Sequence, residues 1–207
     1  MLTSFFVLYY HYYIKFLIKG VLVMKKLIGA LAILAIMGLS SPSSAYESAV
    51  GHLNALIGQK SLAKSEWVDV NSQFKYSIDG DFKVNELPFH ISLAYVHSQD
   101  SVSSLDGETT ELRLGIRKYL DSTSDDLAFF IGGGLANIHA KAVYIGVTTV
   151  DDSTLGYYAE VGGQYMIQDT FYIGAKVDLS VADVKHKNGA KIEAGGTQYG
   201  LYVGVPF

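Results

Sequence analysis

The last thirteen residues, Gly195 to Phe207, leave this chain the fewest choices. Every second residue gives Thr197, Tyr199, Leu201, Val203, Val205 and Phe207; the other set is Gln198, Gly200, Tyr202, Gly204 and Pro206. One set is apolar and ends on an aromatic, while the other is small, polar or tyrosine. That alternation has period two, so the segment is a strand with one face in an apolar medium. The rest of the chain has to supply the sheet this strand completes.

Seven more segments carry strand character: Ala49–Gln59, Asp69–Asp79, Leu87–Ser98, Thr109–Leu120, Leu127–Ile138, Gly156–Ile167 and Phe171–Ala182. In the second, Val70, Phe74, Tyr76 and Ile78 share a face. In the fourth, Leu112, Leu114 and Ile116 oppose Glu111, Arg113, Gly115, Arg117 and Tyr119. In the seventh, Ile173, Ala175, Val177 and Leu179 oppose Tyr172, Gly174, Lys176 and Asp178. The first alternates poorly. The fifth is apolar or glycine on both faces, and Phe129, Ile131 and Leu135 are expected outward. Connections after odd segments are long (60–68, 99–108, 139–155, 183–194). Those after even segments are short (80–86, 121–126, 168–170).

Periodicity alone does not say which face is inside. A water-exposed polar face would carry long charged residues at many positions. Here small residues interleave with large polar ones, which suits a crowded interior. The charges on that face are of both signs: Lys75, Glu111, Arg113, Arg117, Glu160, Lys176 and Asp178. Buried charges persist only when paired. The expectation is a polar, internally paired lumen with an apolar exterior. In hydrocarbon an open sheet edge costs several kcal/mol per unpaired amide, so such a sheet has to close. Eight strands enclose just enough room for side chains to fill. Tyr76, Tyr95, Tyr157, Tyr165, Tyr199, Phe171 and Phe207 would form aromatic belts.

The N-terminus reads as an export signal. Met24-Lys25-Lys26 is a positive start, Leu27–Leu39 an apolar run, and Ser43 and Ala45 the small residues before a cut after Ala45. The run is shorter than the roughly 20 residues a spanning helix needs. Residues 1–23, rich in Phe, Tyr, Ile and Leu, read as an extension from a start called too early, with a membrane anchor over 1–39 as the alternative. The expected organisation is extension 1–23, signal peptide 24–45 and barrel 46–207.

Charge narrows the functions. From residue 46 onward there are 12 basic and 20 acidic residues, a net −8, which argues against nucleic acid. With no cysteine there is neither a disulfide nor a thiolate metal site. His97, Ser98, Asp100, His139, Asp151, Asp152 and His186 collect near one rim. A His, a Ser and an acid could make an activated nucleophile there; polar residues collecting where strands meet water is the plainer reading. A rim metal site from His97, His139 and His186 lacks tight ligand spacing. Gly132-Gly133-Gly134 precedes no helix and reads as close packing inside a barrel. His90 reads as a satisfied interior histidine. No catalytic residue, metal or cofactor is expected.

The pattern over 46–207, with the Gly-rich closing strand Tyr202-Val203-Gly204-Val205-Pro206-Phe207, resembles small outer-membrane barrels of the OmpA-domain, OmpX and OmpW kind. That resemblance implies an all-β fold, an eight-stranded antiparallel up-and-down transmembrane β-barrel after a cleavable signal peptide. It implies long loops outside the cell, short turns in the periplasm, and Phe207 as part of the signal read by the barrel-assembly machinery. The expected surroundings are outer-membrane lipid, with the protein a monomer and its role structural or loop-presenting. A small pore or a rim enzyme acting on lipid A are the alternatives. Pro206 departs from the pattern, and the last pair of ladder bonds is expected to fray.

Overall fold

A computed structural model describes residues 51–63, 67, 69–84, 87–120, 126–185 and 189–207. The expected extension and signal peptide lie outside the described residues. Eight strands form one closed antiparallel barrel: β1 (Gly51–Ser61), β2 (Ser72–Lys83), β3 (His90–Val102), β4 (Leu105–Leu120), β5 (Leu127–Tyr144), β6 (Val147–Ile167), β7 (Phe171–Val181) and, last in the chain, β10 (Gly196–Pro206). Two three-residue strands, β8 (Asp183–Lys185) and β9 (Lys191–Glu193), make a separate hairpin between β7 and β10. Each barrel strand pairs with its sequence neighbour, and β10 closes on β1, from His52 opposite Pro206 to Ser61 opposite Thr197. The fold class read from the sequence is the one observed.

The faces follow the alternation. Phe74, Ile78, Leu93, Leu112, Leu114, Ile116, Phe129, Ile131, Leu135, Val161, Ile173, Val177, Leu179 and Leu201 all lie exposed on the outside. Near the end of β10, Val203 is half-buried and Val205 buried on the same face. A water-soluble barrel could not leave so many large apolar side chains outside. In lipid this is the stable arrangement. Among the residues expected outward, Val70 is different: it precedes β2, follows Asp69 at φ 64°, and is buried in an interior apolar cluster.

Two connections expected as long loops are strand instead. β3 and β4 meet at a two-residue turn, Ser103-Ser104, and β5 and β6 at Ile145-Gly146. Ile145 and Gly146 both have positive φ (49° and 75°), the conformation whose twist suits a tight hairpin. β5 and β6 therefore run 18 and 21 residues, about twice the 9–11 needed to cross a bilayer. Their polarity reverses on the way. Low on β5 the outward residues are Phe129, Ile131 and Leu135. Beyond Ala136 they are Asn137, His139 and Lys141, while Ile138, Ala140 and Ala142 turn inward and are buried. The side-chain geometry stays constant while the surrounding solvent changes from lipid to water.

Pro206 frays nothing. Gly51 and Phe207 exchange both backbone hydrogen bonds, each 2.9 Å. In an antiparallel ladder the next residue in, Pro206, therefore points its nitrogen away from β1. It faces the β7 side, where pairing has already stopped at Gly204.

Candidate functional site: the charged lumen

Because strands alternate, a charged residue at every second position stacks up the inside of the barrel. The structure places Lys75, Glu111, Arg113, Arg117, Glu160, Lys176 and Asp178 there, all buried. It adds Lys60, Asp79 and Asp81, which share parity with His52 on β1 and Lys75 on β2. That parity was the available signal for Asp79, whereas Lys60 and Asp81 lie just past the expected ends of their strands. Among the described residues the buried charges are five cations and five carboxylates.

They form two linked groups. Toward the hairpin end, Lys60 Nζ lies 2.7 Å from Glu111, and Arg113 bridges Glu111 and Asp178 at 2.7 Å each. Lys75 reaches the other oxygen of Asp178 at 2.8 Å. Gln198 donates to Glu111 at 2.7 Å. Toward the turn end, Lys176 pairs with Asp79 (2.7 Å) and Glu160 (3.2 Å). Arg117 reaches Glu160 and Asp81 at 2.8 Å and Asp79 at 3.3 Å. Asn54 donates to Asp79 and accepts from Tyr172.

Gly132 makes the Arg117–Glu160 contact possible. It sits between them in register, Arg117 opposite Gly132 and Gly132 opposite Glu160. A Cβ there would lie 2.8 Å from the Glu160 carboxylate and 2.9 Å from the Ile116 carbonyl oxygen. Gly132 thus serves interior packing, while Gly133 shares the outward face with Ile131 and Leu135.

Apolar residues close the hairpin end. Leu62, Trp67 and Val70 from the β1–β2 connection pack with Ile138, Ala140, Val150, Tyr158 and Val184. Trp67 Nε1 donates to the Glu193 carbonyl at 2.6 Å. The Lys185 amide donates to Asp152 at 2.8 Å, fixing the small hairpin to β6. That bond, with one from the Ser153 amide, holds the Asp152 carboxyl below its usual range.

The rim residues do not converge. His97 is on the outer face, against the Tyr76 ring (4.9 Å), with Nδ1 3.1 Å from Thr110 Oγ1 and 3.6 Å from Glu108. Ser98, the next residue, faces inward to Gln73 and Thr109, so the two cannot act together. Asp100 accepts from the Ser101 amide. Thr110 separates His97 from His139 in register, so no metal pair forms there. His186 lies outside the described residues. His139 does have an unforeseen neighbour: Nδ1 is 3.0 Å from Ser153 Oγ and Nε2 is 3.7 Å from Asp151. Cross-strand pairing of 139 with 153 could not be read without the register. His90 is inside, 2.7 Å from Asp81, and His52 approaches the same oxygen at 2.9 Å.

Solved structures with this architecture include neisserial surface protein A, at 14% identity and TM-score 0.59 over 76% of this chain and 96% of that one. The outer-membrane protein OprG of Pseudomonas aeruginosa matches at 11% and 0.57, over 76% and 95%. Ail, the attachment invasion locus protein of Yersinia pestis, matches at 12% and 0.52, over 76% and 97%. At these identities they establish the fold. No curated protein sequence matches the chain. The outer membrane protein beta-barrel domain family matches residues 31–207, the closed barrel and its apolar exterior accord with that match, and the chain belongs to this family of the outer membrane.

Proposed function

We propose that this protein is a closed anchor: it holds the β3–β4, β5–β6 and β8–β9 hairpins outside the cell, conducts no ions and catalyses no reaction. The observation that carries this is the lumen. Among the described residues ten buried charges, five of each sign, are tied across it, with an apolar cap over the hairpin end. A conducting path would need mobile, hydrated charges, and eight strands leave little room once side chains are placed. The short-turn end faces the periplasm and the hairpin end the exterior, the usual arrangement in outer-membrane barrels. Closure of β10 on β1 leaves the barrel wall within the membrane no free edge for a second copy, which supports a monomer in outer-membrane lipid as the working form. Phe207, exposed and paired with Gly51 at the end of the ladder, is available to the assembly machinery. Refolded protein in a planar bilayer tests the reading: a flat baseline is expected, and steady unitary currents overturn it.

A rim hydrolase is the second reading, favoured by His139, Ser153 and Asp151 on one outward face. An acid, a base and a hydroxyl in series is the arrangement that activates a serine. The 3.7 Å gap and the open, half-exposed setting weigh against it. Lipid A profiles by mass spectrometry decide: an enzyme requires a change on expression that Ser153→Ala abolishes.

A further inference from the structure

We propose that His52, Asp81 and His90 form a binding site for a divalent transition-metal ion of the zinc class, at the turn end of the lumen. The three contribute two imidazole nitrogens and one carboxylate oxygen, all within 4.8 Å of one another. Two histidines with one carboxylate and a remaining open position is a donor set that suits zinc, nickel, copper or iron(II). Calcium and magnesium want more oxygens.

Charge points the same way. The hairpin-end group holds Lys60, Lys75 and Arg113 against Glu111 and Asp178. The turn-end group holds Arg117 and Lys176 against Asp79, Asp81 and Glu160. The first has one cation to spare and the second one carboxylate. The two histidines stand around that second group, both on Asp81. An added cation is therefore wanted at this end of the lumen and not at the other.

The support around the site is already built. The far oxygen of Asp81 accepts from Arg117 Nη1 (2.8 Å) and the Tyr119 hydroxyl (3.0 Å), so the near oxygen is held toward the histidines. Tyr119 also packs on both imidazoles, with ring centroids 4.8 Å from His52 and 5.0 Å from His90. Such partners orient ligands before the ion arrives. Arg117 would oppose a dication, but its charge is shared with Asp79 and Glu160. His90 is at the mouth, its side chain 12% exposed, and provides the way in from the periplasmic side. The nitrogens now sit 2.7 and 2.9 Å from the Asp81 oxygen, as hydrogen-bond donors. Metal bonds of about 2.0–2.2 Å need ligand atoms roughly 3.3 Å apart. Binding thus opens the cluster by about half an ångström and moves each ring hydrogen from Nδ1 to Nε2, so that both imidazoles bind as neutral ligands.

Untagged protein, folded in detergent micelles, would be titrated with zinc chloride by calorimetry and with cobalt(II) by visible absorption. One saturable site is expected, with the cobalt bands of a histidine-containing site of low coordination number, and with no competition from calcium or magnesium. His90→Gln and His52→Gln should each weaken binding by about a hundredfold or more, since losing even a group that only hydrogen-bonds a ligand costs about 10–100-fold. His139→Gln on the outer rim should leave it unchanged. Folding of each variant is read from the gel shift on boiling. Should His52→Gln fail to fold, His90→Gln at the mouth decides. The proposal is overturned if the wild type has no saturable site, if the site survives His90→Gln, or if His139→Gln removes it. None of these outcomes bears on whether the lumen conducts.

Discussion

The two ends of the barrel interior differ in chemistry: an apolar cap closes one, while the other combines a charge network with the cluster of Leu56, Phe130, Met166, Tyr172 and Tyr202. At the hairpin end the inside is Trp67, Val70, Ile138, Val150 and Val184. Toward the turn end it is Asp79, Asp81, Arg117, Glu160 and Lys176, collared by His52, Tyr119 and Tyr172. Both ends are built on the same alternation, and β5 runs through the change. The difference comes from what surrounds them. Where strands stand in water, burying apolar surface drives folding and the inside is oily. Where strands stand in lipid, the outside must be oily, and the polar side chains have only the lumen and one another. The reversal near Ala136 marks where the bilayer ends.

Breaking an ion pair should do the largest damage. Arg117→Met removes the partner of three carboxylates and leaves Asp81 and Glu160 charged in a closed interior. Losing one member of a buried pair costs about 3–5 kcal/mol. Urea unfolding of the barrel in lipid vesicles measures it. Adding Glu160→Gln should recover part of the loss, with coupling of about 0.5–3 kcal/mol in a double-mutant cycle. Strict additivity would mean that the network is not a unit. The hairpin end should respond to cavities instead. Ile138→Ala, fully buried in the cap, should cost about 2–5 kcal/mol. Ile131→Ala, seven residues earlier and facing lipid, should cost clearly less, because acyl chains fill the space. Equal losses would contradict the solvent boundary drawn between them.

This boundary also explains what the sequence could and could not reveal. Where one solvent covers a whole segment, as for β7 and β10, the alternation was plain and the faces were legible. Over β5 the inward residues below the boundary are Ala128, Phe130, Gly132 and Gly134, so both faces looked apolar, and beyond it the reversal made residues 139–144 look like loop. The lumen charges at Arg113 or Lys176 were legible from parity. Lys60 and Asp81 were not, because each lies just past the expected end of its strand, at Gln59 and Asp79. The meeting of His52 and His90 on Asp81 needed the registers of β1 with β2 and of β2 with β3, which no local pattern carries.

The smallest effect is expected where the two chemistries touch. Tyr172 belongs by its ring to an apolar cluster with Leu56, Phe130, Met166 and Tyr202. By its hydroxyl it donates 2.6 Å to Asn54, which in turn donates 2.7 Å to Asp79. Tyr172→Phe keeps the ring and its packing and removes one donor from a buried acceptor. A loss of about 1 kcal/mol follows if the hydroxyl acts as an ordinary buried hydrogen bond. A loss as large as that of Arg117→Met would mean that Asn54 and Asp79 are positioned through Tyr172, and that the aromatic collar and the ion network act as one unit. No loss would mean that Asn54 is held by Asp79 alone, and that the turn end owes its order to charge.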